Sequence, residues 1–160
     1  ATDVLARTMG MGHQLASMMF DDVRDAPLTQ PTPKGGNHPL WVAGHLAWAE
    51  GGMFQLTTGE ANPCEEWKPL FDGGTEPVAD SSMYPPFADV AAKFLSLRDA
   101  NIKALARMSD ADLDKQVPMF GTLGQAFSDV SMHATMHLGQ VADARRVLGR
   151  KPFFSGPPEA

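Results

Sequence analysis

A chain of 160 residues, 43% hydrophobic and 20% charged, is long enough to bury a core without disulfides and has an ordinary globular balance. Its net charge of -6 argues against a nucleic-acid or anionic-membrane surface as main partner, and no apolar run reaches the roughly 20 residues of a transmembrane helix. Asp3, Arg7, His13 and Gln14 break up the N-terminal apolar stretch, against a signal peptide, and Cys64 stands alone, so a cytoplasmic home is expected.

Four segments carry helical periodicity, and no segment reads as a strand. The first runs from about Asp3 to Val23, with Val4, Leu5, Met9, Gly12, Leu15 and Met19 along one side. Positions 26–36 are rich in proline and end in two glycines, which is loop chemistry. Asn37 is a natural N-cap for the second helix, with Pro39 in its first turn and Gly59 as the stop after Thr58. The stretch 60–85 has no clear period; in a bundle it is the crossover that lets two consecutive helices run parallel, pinned by Trp67, Leu70 and Phe71. The third helix opens after Pro85 and Pro86 and runs to about Met108. A short connection over 109–121 leads to the fourth, from Thr122 or Leu123 to Leu148, ending at Gly149. The expected architecture is all-α: one domain over 1–160, a four-helix bundle in up-down-down-up order with a long crossover between helices two and three.

Steps of three or four residues place histidines inside the apolar stripes. The second helix aligns Trp41, His45, Trp48, Gly52 and Leu56; the fourth aligns Val130, His133, His137, Val141, Ala144 and Leu148. His133 and His137, at i and i+4, project from one face and suit two ligands on one cation, but no glutamate follows His133, so the helical peptidase motif is absent. His45 is the natural third ligand from a neighbouring helix. Taken alone, it reads as a core histidine bonded to a carbonyl more readily than as a ligand. Neutral imidazoles suit zinc, nickel, copper or iron, and three protein ligands leave a coordination position open, the pattern of a reactive site.

The run from Asn37 through His45 to Trp48 resembles the second-helix signature of the DinB-like metalloprotein superfamily. The run from His133 through His137 to Gly139 and Gln140 is similar to its fourth-helix signature, and the ending from Leu148 to Pro152 resembles the family as well. The resemblance spans the four helices in order. It implies a bundle with a metal near one end on His45, His133 and His137, zinc or nickel first and iron after them. Some relatives are thiol-dependent transferases or isomerases using bacillithiol or mycothiol, a related domain helps to build ergothioneine, and many have no known activity. The resemblance therefore fixes the site better than the reaction.

Other residues carry two readings each. Asp129 is either a carboxylate orienting His133 or a solvated helix acid; Gln140 is either a hydrogen-bond partner of a metal-bound water or ligand or a packing residue beside Gly139. His38 reads as an exposed first-turn residue more than as one lining the mouth of the site, and His13 as a core or surface one. Arg145, Arg146, Arg150 and Lys151 read as a charged helix end more than as a clamp for a thiol cofactor's carboxylate, and Cys64 as a bystander more than as a nucleophile. The expected function is metal-dependent activation of a small thiol for transfer to a small-molecule substrate, by a homodimer with no nucleic-acid or membrane partner. The rival is a metal-binding stress or structural protein without turnover.

Overall fold

Each periodic segment is a helix in the computed structural model, which describes residues 1–30 and 35–154. Helix α1 spans Thr2–Val23 and buries Met9, Ala16, Met19, Phe20 and Val23. Val4 lies 69% exposed, off the core stripe to which its spacing assigned it. Five residues separate it from Met9, about 140° around the helix, which turns it to the outside.

Helix α2 (Pro39–Thr58) is apolar on every side from Pro39 to Ala47, and each of those residues is buried, as a helix packed on all faces requires. Its N-cap is His38, one residue later than expected: Nδ1 of that ring accepts from the Trp41 amide at 3.0 Å. Its Nε2 meets the Val78 carbonyl at 3.0 Å, so His38 is 1% exposed and not a surface residue. The segment before Tyr84 folds over it and removes it from water. Gly59 ends the helix in the left-handed conformation, its amide donating to the Gln55 carbonyl.

The crossover holds a 3₁₀ turn (Glu65–Trp67), the short helix α3 (Lys68–Phe71) and a second turn (Ser81–Met83). Phe71 is fully buried and stacks on Tyr84 at 5.4 Å, with Trp67 edge-on at 5.9 Å. Leu70 and Trp67 are half-buried against the same core. Helix α4 spans Phe87–Leu105 and stops short of Met108, because the amides of Arg107 and Met108 already close tighter turns. Helix α5 (Asp110–Leu113), with a Ser109–Asp112 capping box, precedes two short strands, β1 (Gln116–Val117) and β2 (Gly121–Thr122). They pair antiparallel, where no strand was expected; two residues per strand are too few to show alternation. Helix α6 (Leu123–Val147) opens on a Thr122–Gln125 capping box, and Gly149 follows it with φ 76°. The proline-rich connection falls partly at 31–34, outside the described residues.

Pairwise contacts set the directions. Glu50 of α2 bonds Arg98 and Asn101 of α4, while His38 before α2 packs on Tyr84 before α4, so these neighbours run parallel and need the long crossover. Asn37–Gln140 and His45–His133 contacts make α2 and α6 antiparallel. Phe20 packs on Phe87 while Met9 meets Arg98, so α1 opposes α4; Asp22–Arg145 sets α1 along α6. The core has two apolar clusters, one around Phe20, Trp41, Phe71, Phe94 and Leu138, the other around Met9, Met53, Leu105 and Phe127. The Glu50–Arg98–Asn101 group lies between them. Among the described residues no helix is long and apolar enough to cross a membrane.

Candidate metal centre

The antiparallel pair α2 and α6 brings one ring from the first and two from the second to a common point. Ring centroids lie 4.9 Å apart for His45–His133, 4.7 Å for His45–His137 and 4.6 Å for His133–His137. One nitrogen from each ring falls within 4.8 Å of the others, a grouping that can hold a metal ion.

Tautomers follow from the outer contacts. Nδ1 of His45 lies 2.6 Å from the Phe71 carbonyl, which only accepts, so Nδ1 carries the proton and Nε2 turns a lone pair inward. Nδ1 of His137 lies 2.8 Å from Oε1 of Gln140, with the same consequence. Trp41 stacks on His45 at 4.6 Å and 11°, so the ring is held from the side as well. Nε2 of His45 and Nε2 of His133 are 3.0 Å apart. Two nitrogens bound at about 2.0–2.1 Å to one tetrahedral cation would stand about 3.3 Å apart. Both the separation and the chemistry of the donor set therefore fit a divalent cation of borderline softness.

Burial keeps these rings neutral. It pushes His133 down to about 4, with repulsion from His137 and His45 adding to the effect. His45 and His137 are lowered for the same reason, opposed in part by their bonds to Phe71 and Gln140. Neutral imidazole is the form that binds metal.

The family model of the DinB superfamily matches residues 12–141, most of the chain and all three rings. The chain belongs to the DinB superfamily. No curated protein matches it.

Around the centre of this DinB-superfamily chain the other candidates sort themselves. Gln140 is the partner of His137 and also accepts from Asn37 Nδ2 at 3.1 Å. Asp129 is exposed and, among the described residues, makes no bond to His133. Arg145 and Arg150 bond Asp22, and Arg150 also Asp25, so both cations are engaged in tying the end of α6 to α1. Cys64 is buried and its thiol is pushed up to about 11 by desolvation, which makes it a poor nucleophile. His13 and His38 stand outside the cluster. Sequence reasoning missed the Phe71 carbonyl, which bonds a ring 26 residues away through a backbone atom that no side-chain pattern announces. It also missed Asn37 as a neighbour of Gln140, although the three-residue step from His137 to Gln140 was visible.

Proposed function

We propose that this DinB-superfamily chain binds one divalent ion, zinc or nickel before iron, through Nε2 of His45, His133 and His137, and uses it to activate a low-molecular-weight thiol for transfer to a small electrophile. The observation that carries this reading is the convergence of three neutral imidazoles, two of them with the tautomer fixed by an acceptor on the outer nitrogen. Such a cation supplies Lewis acidity, lowering the pKa of a thiol or water at its remaining position.

The protein's own contribution is positioning. The Phe71 carbonyl and the Trp41 ring hold His45, Gln140 holds His137, and the surrounding core buries these two rings while His133 is half-buried. In the transfer the thiol loses its proton to solvent or buffer, and its sulfur forms a bond to the electrophile's carbon as the leaving group departs with the bonding pair.

Elemental analysis of the purified chain, followed by a transfer assay across several low-molecular-weight thiols, tests both halves. One divalent ion per chain with thiol-dependent turnover is the expected result. An ion without turnover and without an exchangeable ligand would favour the non-catalytic metal-binding alternative. Absence of a stoichiometric ion under metal-replete conditions would sink the metal reading itself.

A further inference from the structure

The Gln140 side chain raises a question of orientation. A carboxamide presents oxygen at one end and NH₂ at the other, and rotating it exchanges two groups of similar size. Which end faces His137 decides where that ring carries its proton. With oxygen toward Nδ1, the ring donates from Nδ1 and Nε2 holds a lone pair. With NH₂ toward Nδ1, the ring must accept there, and its proton moves to Nε2, which faces His45 and His133 and then has nothing to offer a cation.

We infer that Asn37 sets the metal-competent tautomer of His137 by orienting the Gln140 amide, an inference that rests on the three-histidine reading. Two donors converge on a single atom: Nδ1 of His137 at 2.8 Å and Nδ2 of Asn37 at 3.1 Å, both on Oε1 of Gln140. The NH₂ group of Asn37 only donates, so with Asn37 in this orientation a reversed Gln140 would set NH₂ against NH₂. Asn37 is half-buried and immediately precedes His38, whose ring is fixed by the Trp41 amide and the Val78 carbonyl, so its backbone is held at the start of α2. The pair thus links the entrance of α2 to a ring on α6 across 103 residues of sequence. Asn37 and Gln140 are positioning residues.

The variants Asn37→Asp, Gln140→Leu and Gln140→Glu separate this role from packing. The Asn37→Asp side chain keeps the shape of asparagine but only accepts, so it demands the NH₂ end of Gln140 and drives His137 to the wrong tautomer. Zinc affinity, measured by chelator competition at pH 7.5, should fall about tenfold in Asn37→Asp and on the order of 10–100-fold in Gln140→Leu. Gln140→Glu offers oxygen at both ends and should bind zinc at least as tightly as wild type. Simple electrostatics gives the opposite sign for Asn37→Asp, since an added negative charge near a cation tightens binding. Ring ¹⁵N shifts of His137 in the metal-free chain should report Nδ1–H in wild type and Nε2–H in Asn37→Asp. Unchanged or tighter zinc binding in Asn37→Asp, or an Nδ1–H ring in that variant, would overturn the inference. Wild type that shows the Nδ1–H ring but binds no zinc would overturn the metal reading and leave the amide assignment standing.

Discussion

The Phe71 carbonyl accepts a hydrogen bond from Nδ1 of His45 at 2.6 Å, so the crossover supplies the polar contact that orients the α2 ring of the cluster. This contact depends on Gly44, the residue before that ring. A Cβ there would stand 2.3 Å from the Phe71 ring, which is fully buried and has no room to retreat. Gly44→Ala should cost about 1–3 kcal/mol through overpacking and weaken metal binding by shifting the carbonyl. Gly52→Ala on the same helix meets nothing within 4 Å and should be neutral or stabilising by roughly 0.5–1 kcal/mol. Urea denaturation of the two variants, with zinc titration, checks the contrast; equal effects would contradict it.

Removing one ligand tests the centre directly. His133→Ala and His137→Ala should each lose most bound metal, because two imidazoles remain where three converge. Metal content by elemental analysis is the measurement. Unchanged stoichiometry in both would rule out these rings as ligands.

How much of this was readable from the chain differs by residue. The helix stripes and the His45, His133 and His137 positions were legible because a helix of fixed pitch turns spacing into a face, and the three rings do meet. The breaks at Gly59 and Gly149 were legible because only certain backbones stop a helix. His38 was misread as exposed, since its burial comes from Val78 and Tyr84, forty or more positions away. The Glu50–Arg98 pair was not seen for a like reason: a charge inside an apolar helix shows its partner only when the crossover sets α2 beside α4.

That pair yields its own prediction. Glu50 and Arg98 are 1% and 0% exposed, bonded at 2.5 Å, with Asn101 donating to the second Glu50 oxygen at 2.7 Å. Burial pushes the Glu50 carboxyl up, and the Arg98 charge opposes it. Glu50→Gln or Arg98→Met leaves a buried partner uncompensated and should cost about 3–5 kcal/mol, while the double variant Glu50→Leu/Arg98→Met should cost much less than the sum. Additive losses in urea denaturation would show that the two groups do not act as a pair.

Acid should weaken the metal-free fold before carboxylates titrate. His133 is held near 4 in the folded chain against 6.5 unfolded, so between these values the unfolded chain binds more protons. Stability is therefore complete above about pH 6.5 and falls as pH drops toward 4; His38, His45 and His137 are lowered too and add the same sign. Melting temperature of the chelated chain should decline between pH 6.5 and 5. Bound metal should delay the decline, since protons must then compete with the ion for the same nitrogens. A flat profile over that window in the metal-free chain would contradict buried neutral imidazoles.

Chelation separates the site from the scaffold. The two apolar clusters are built from all four long helices, and neither depends on the three rings for its bulk. A bundle with such a core does not need an ion to fold, unlike a small zinc finger. Helicity by circular dichroism should therefore stay nearly constant when metal is removed, while the melting temperature drops, because a ligand that binds only the native state stabilises it by mass action. The change should be local to the end where α2 and α6 meet. Trp41 is the reporter there: it stacks on His45 at 4.6 Å and lies 6.1 Å from His137, so its fluorescence should respond to loss and return of the ion. Complete unfolding on chelation would make the ion a structural one, and would count against an open coordination position for a thiol.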